Sequence, residues 1–119
     1  MKIALIGYGN MGQELEKVNA ESKDHTIVSI SYGEKNKELD IAGIKKADVV
    51  IDFTSPEIVI SNIKKIANLK KDIVVGTTGW YGNMKEVIQI VKRNNIGLLY
   101  GQNFSIGANI FFAIIGFSS

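Results

Sequence analysis

Eleven residues at the start of the chain, Lys2 to Gly12, constrain its fold more than any others. Lys2 to Ile6 is a short apolar run, and it is followed at once by Gly7-Tyr8-Gly9-Asn10-Met11-Gly12, a G-x-G-x-x-G spacing. An apolar run closed by glycine suits a buried parallel strand. Each glycine then has a separate physical task. The first permits a tight turn, the second lets the backbone come close to a pyrophosphate, and the third lets the following helix pack against the strand. The free N–H groups and partial positive charge of that helix's first turn favour phosphate. The spacing alone is weak evidence; directly after the first strand and at the mouth of a helix it is much stronger.

The rest of the chain alternates between two periodicities. Helical spacing over Gln13 to Ala20 leads to a β-branched strand, Thr26 to Ile30, and then to a polar loop, Ser31 to Glu38. A short helix is expected over Ile41 to Lys46 and a third strand over Asp48 to Phe53. Ser55-Pro56-Glu57 is a helix start, with serine as N-cap, proline at the first helical position and an acid in the first turn. That helix runs on Ile58, Ile63 and Ile66 toward Leu69. Ile73 to Val75 is a fourth strand closed by Gly76. Met84 to Lys92 is a helix with Val87, Ile88 and Val91 on one side, and Ile96 to Tyr100 is a fifth strand. Strands alternating with helices imply an α/β fold: a Rossmann-type doubly wound parallel sheet in three α/β/α layers.

Composition narrows the function classes. The 119 residues suit one domain, with 45% hydrophobic and 22% charged residues. A net charge of +2 sets up no strong field for nucleic acid or acidic membrane. The lysine pairs at 45–46, 64–65 and 70–71 read as solvated helix faces, with no aromatic interleaving for a nucleic-acid platform. There is no cysteine, which excludes disulfides, thiolate catalysis and Cys-zinc sites and is compatible with a reducing cytoplasm. The first apolar run is too short for a signal peptide, and no run reaches the ~20 residues that span a bilayer.

Three further segments fall at C-terminal ends of strands, the edge where open α/β sheets bind ligands. They are Asp52-Phe53-Thr54-Ser55-Pro56-Glu57, Gly76-Thr77-Thr78-Gly79 and Gln102-Asn103-Phe104-Ser105. Phe53 and Phe104 suit either a cofactor ring or the core; Thr77 and Thr78 suit either a ligand or their own turn. An acid about 20 residues beyond the glycines normally holds the ribose. Here the second strand ends in Ser31-Tyr32-Gly33, with Glu34, Lys35 and Lys37 beyond, so NAD and NADP both stay open. The sole histidine, His25, precedes that strand and reads as a surface or strand-edge residue.

In this order, these segments and Asn103-Phe104-Ser105-Ile106-Gly107-Ala108-Asn109 resemble the dihydrodipicolinate (4-hydroxy-tetrahydrodipicolinate) reductase family from Met1 to about Asn109. The resemblance implies a cytoplasmic, NAD- or NADP-dependent oxidoreductase of lysine and diaminopimelate biosynthesis acting on a small dicarboxylate. It puts the pyrophosphate on Gly7, Tyr8, Gly9, Asn10, Met11 and Gly12. It puts the nicotinamide on Gly76, Thr77 and Thr78, and further cofactor contact on Gly101, Gln102, Asn103 and Phe104. Gln102 stands where the family often has alanine, and the family's ribose acid aligns near Tyr32. The family's H-H-x-x-K-x-D-x-P-S-G-T motif, with the proposed proton donor and carboxylate holders, does not occur in these residues. The chain therefore reads as a cofactor-binding half: residues 1–108 a dinucleotide-binding domain, residues 109–119 the start of a connection to a second domain. The uncharged stretch Phe111 to Ser119 reads as a segment that packs against more protein. A homotetramer is implied for the complete protein, and no catalytic residue or metal site is expected here. The alternatives are a stand-alone dinucleotide sensor and another two-domain amino-acid dehydrogenase such as aspartate or homoserine dehydrogenase, the latter opposed by the Asp52–Glu57 and Gly76–Gly79 segments.

Overall fold

A computed structural model describes residues 1–7, 13, 17, 26–32 and 38–101. Within them the chain forms β1 (Lys2–Ile6), β2 (Thr26–Ser31), α1 (Ile41–Lys46), β3 (Val49–Asp52), α2 (Pro56–Asn68), β4 (Asp72–Val75), a 3₁₀ turn (Tyr81–Asn83), α3 (Met84–Asn94) and β5 (Leu98–Tyr100). The strands make one sheet in the order β2-β1-β3-β4-β5, and every neighbouring pair is parallel. Strand order reverses at β1, so β1 and β3 lie side by side and the crevice beyond their C-terminal ends is a topological switch point.

Successive strand residues face opposite sides of a sheet, and both sides are apolar here. Ile3, Leu5, Val49, Ile51 and Val74 form a buried cluster on one face. Ala4, Ile6, Val50, Ile73 and Val75 face the other way and pack with Ile44 of α1, Val59, Ile63 and Ile66 of α2, and Val87 and Ile90 of α3. Continuous apolar strands are what a parallel sheet buried on both faces requires. The expected sheet and one helical layer thus lie within the described residues. Gln13 and Lys17, the described residues of the β1–β2 connection, are helical and exposed, and the expected third layer falls outside the described residues.

The α2 helix starts as the sequence implies, with Ser55 extended at the N-cap and Pro56 in the first turn, but the Ser55 side chain caps no helix N–H. The Glu57 carboxyl is held below its ordinary range, first by its own backbone N–H and then by the Ser55 hydroxyl. The buried face runs Val59, Asn62, Ile63, Ile66, Ala67, the i, i+3, i+4, i+7, i+8 stripe of an amphipathic helix. Ile58, expected on that stripe, is only half-buried.

Two expectations in the last βα unit need correction. In α3 the inward residues are Val87 and Ile90, while Ile88 is 44% exposed. The strand expected from Ile96 starts at Leu98 because the end of α3 uses the intervening backbone. Asn95 takes the left-handed conformation at φ 55°, and the Ile96 N–H returns to the Val91 carbonyl at 3.2 Å. Gly97 N–H then donates to the Asp72 carboxylate at 2.8 Å, and pairing with β4 begins.

Candidate functional site

Sheet register brings four strand ends to one line. Ile6 pairs with Asp52, Asp52 with Val75, and Val75 with Tyr100. The next residues, Gly7, Phe53, Gly76 and Gly101, therefore stand side by side at the C-terminal edge. Their N–H groups extend the ladder: Gly7 to Ser31 O at 2.6 Å, Phe53 to Ile6 O at 2.8 Å, Gly76 to Asp52 O at 2.9 Å and Gly101 to Val75 O at 3.3 Å. Three of the four are glycine, so most of this edge is bare backbone.

Gly7 is buried and turns the chain at φ +92°, a conformation L-residues avoid. A Cβ there would lie 2.8 Å from both the carbonyl carbon and oxygen of Phe53. The first glycine of the fingerprint thus has the tight-turn geometry its position implies. Tyr8, Gly9, Asn10, Met11 and Gly12 lie outside the described residues, as do Gln102, Asn103, Phe104, His25, Glu34, Lys35 and Lys37.

Phe53 has a packing role that its position alone left open. It is half-buried against the Ile3-Leu5-Ile51 cluster, and its ring occupies the space that a Cβ on Gly76 would need. Gly76 is therefore small partly for the sake of Phe53. Thr77 and Thr78 point apart. Thr77 is buried at 6% exposure and turns its hydroxyl toward Asp52, whereas Thr78 is exposed. Gly79, at φ +82°, lets the turn pass Pro56 of α2, and the Trp80 indole N–H closes it onto the Thr77 carbonyl at 2.6 Å.

Beneath this edge lies Asp52, a residue whose structural part the sequence reading missed. It ends β3 on the helix-bearing side of the sheet and is fully buried. Its Oδ1 accepts the Thr54 N–H at 2.8 Å, the Thr54 hydroxyl at 2.6 Å and the Thr77 hydroxyl at 3.4 Å. Its Oδ2 accepts the Asn62 amide of α2 at 3.1 Å. Burial pushes its carboxyl above the ordinary carboxylate range, against the opposing pull of Thr54, Asn62 and Thr77. The available signal was the Asp-x-Thr spacing at a strand end, which makes an Asx-type turn. The partners at 62 and 77 are long-range and carry no local signature.

Chemically, such an edge can wrap backbone around an extended polar ligand. Among the described residues no three His, Asp or Glu side chains could share a metal ion, and no helix is long and apolar enough to cross a membrane.

Comparison with known proteins gives a consistent result. The sequence model described as "Dihydrodipicolinate reductase, N-terminus" matches residues 1–104. A 4-hydroxy-tetrahydrodipicolinate reductase of Christiangramia forsetii is 36% identical over 115 residues, covering 96% of this chain and 46% of the relative. One of Methanococcus aeolicus is 37% identical over 109 residues, 91% of this chain and 34% of the relative. The chain thus spans about a third to a half of these relatives' length. Among solved structures, a dipicolinate-bound dihydrodipicolinate reductase from Paenisporosarcina superposes with a TM-score of 0.68 at 19% identity, over 85% of this chain and 46% of the other. A putative homoserine dehydrogenase from Archaeoglobus fulgidus superposes at 0.65 with 16% identity, over 84% and 42%. The structural matches share the fold; the family match and the sequence relatives, which run along nearly all of this chain, go further, and by them the chain belongs to the dihydrodipicolinate reductase family, as its N-terminal domain.

Proposed function

We propose that the chain is the cofactor-binding half of a 4-hydroxy-tetrahydrodipicolinate reductase, a cytoplasmic enzyme of lysine and diaminopimelate biosynthesis, and that the four aligned strand ends hold NADH or NADPH. The observation that carries this reading is the Gly7 turn, buried and at positive φ, beside Gly76 and Gly101 on the same sheet edge. A dinucleotide fits that setting, because an edge bare of side chains leaves room for a diphosphate to approach the N–H groups of the fingerprint segment that Gly7 opens.

In this reading Gly7, Tyr8, Gly9, Asn10, Met11 and Gly12 bind the pyrophosphate, and Gly76 with Thr78 borders the nicotinamide. Thr77 acts through its backbone, since its hydroxyl is turned toward Asp52. Phe53 supports Gly76 from below, and Gly101, Gln102, Asn103 and Phe104 complete the far wall. When bound, the cofactor supplies a hydride for a cyclic imine dicarboxylate; the protein orients it and excludes water. A dicarboxylate needs cationic or N–H partners. The 119 residues contain neither an arginine cluster nor the histidine-lysine motif of the family. A second domain would supply them, completing the site on closure and, with it, a tetramer.

We expect the chain by itself to bind dinucleotide with saturation and to show no turnover. Calorimetric titration with NADH and NADPH, paired with a spectrophotometric assay on the dicarboxylate, tests both halves of the statement. Cofactor oxidation well above a substrate-free blank would contradict the second.

A further inference from the structure

The buried carboxylate under the site has a geometry that joins three elements. Through Thr54 it fixes the turn after β3, through Thr77 the turn after β4, and through Asn62 it anchors both to α2. Its main-chain carbonyl adds to the same joint, accepting Gly76 N–H at 2.9 Å and lying 3.5 Å from the Thr77 hydroxyl, whose single proton it shares with Oδ1. None of its hydrogen-bond partners among the described residues is a cation. A carboxylate taken out of water without a cationic partner is costly, so stability alone would favour an apolar residue here. What the carboxylate offers that an apolar residue does not is several strong acceptor sites on one rigid group.

We propose that Asp52 is a positioning residue for dinucleotide binding, clamping the turns after β3 and β4 into one geometry so that the bare edge above is already formed when the ligand arrives. The inference rests on the function proposed above and deepens it. Two loops that moved independently would have to be ordered by the ligand at the expense of affinity. With Asp52 in place, Thr54 and Thr77 are tied to one carboxylate oxygen. Asn62 sits below, buried on α2 at 5% exposure, and among the described residues its amide is joined to the edge through Asp52.

The test uses the 119-residue chain and four variants: Asp52→Ala, Asp52→Asn, Asn62→Ala and Val59→Ala. Val59 is a fully buried core residue of the same helix, outside the hydrogen-bonded joint. Dissociation constants for NADH and NADPH are read by fluorescence at a temperature where circular dichroism shows each variant folded, and thermal midpoints are recorded beside them. We expect Asp52→Ala and Asn62→Ala to weaken binding about tenfold, the scale of one or two lost hydrogen bonds. Asp52→Asn keeps an acceptor for Thr54 and Thr77 and can pair with a rotated Asn62 amide, so its affinity stays within about threefold of wild type. Val59→Ala lowers the midpoint but leaves the dissociation constant unchanged. If Asp52→Ala does not fold, Asn62→Ala against Asp52→Asn makes the same comparison. Affinity that follows the midpoint across all variants, Val59→Ala included, overturns the clamp, as does unchanged affinity in Asn62→Ala. A wild-type chain that binds neither dinucleotide overturns the proposed function itself, and the clamp with it.

Discussion

At the scale of single residues, three positions carry the edge. Gly7 is the strictest, because both its φ of +92° and the 2.8 Å approach of the Phe53 carbonyl exclude a side chain. We expect Gly7→Ala to destabilise the fold by about 2–3 kcal/mol, since a strained backbone and a steric overlap act together; urea unfolding measures it. Gly76 is restricted by one neighbour only, the Phe53 ring. Gly76→Ala and Phe53→Leu should therefore be coupled by about 1 kcal/mol in a double-mutant cycle, the smaller ring-free side chain relieving part of the alanine's cost. Additive effects would contradict that packing. Asp52 sets a pH dependence. Burial raises its folded-state pKa, so its contribution to stability is greatest in acid and is lost as pH rises through the folded value. Asp52→Asn has no such loss. The thermal midpoint of Asp52→Asn relative to wild type should accordingly fall as pH is lowered from neutral into the acid range. A constant difference would mean that the carboxylate titrates as it does in the unfolded chain. Of these residues, the glycines were legible because backbone demands show in spacing. The burial of Asp52 was not, because its partners sit 10 and 25 positions away.

Elements were legible where local signals agreed and blurred where tertiary packing decided. Strand β1 and helix α1 fall on the expected residues, the first bounded by Gly7 and the second by Asp40, whose carboxylate accepts the Gly43 N–H at 3.1 Å. That carboxylate also takes the Ser29 hydroxyl at 2.8 Å, which ties α1 to β2 and, with the Gly43 bond, lowers the Asp40 pKa. In α3, two apolar pairs, Val87-Ile88 and Ile90-Val91, admit two phases, and only the sheet beneath selects Val87 with Ile90. The two isoleucines of this helix should thus respond differently to truncation. Ile90→Ala, at 7% exposure, should cost about 2–4 kcal/mol. Ile88→Ala, at 44% exposure, should cost no more than about 1 kcal/mol. Equal losses on chemical denaturation would show that the helix is rotated from this position.

On the scale of the whole molecule, parallel pairing in register turns four separated sequence segments into one edge. The β2-β1-β3-β4-β5 order adds a switch point at β1, next to the Gly7 turn. The α/β alternation and the fingerprint made this architecture readable in advance, since a right-handed crossover permits few arrangements of such a chain. Which side chains at the edge face a ligand and which face the core was not readable, as Thr77 and Thr78 show by pointing apart. The account as a whole requires that the fingerprint segment at this edge, Gly7 to Gly12, grip a diphosphate through main-chain N–H groups. The most direct measurement is titration of the 119-residue chain with NADH and NADPH, with wild type beside Gly9→Val at the second glycine of the fingerprint. The account predicts saturable, one-to-one binding of at least one dinucleotide by wild type and its loss in Gly9→Val at unchanged fold by circular dichroism. Saturation of both proteins alike, or of neither at millimolar nucleotide, would contradict it.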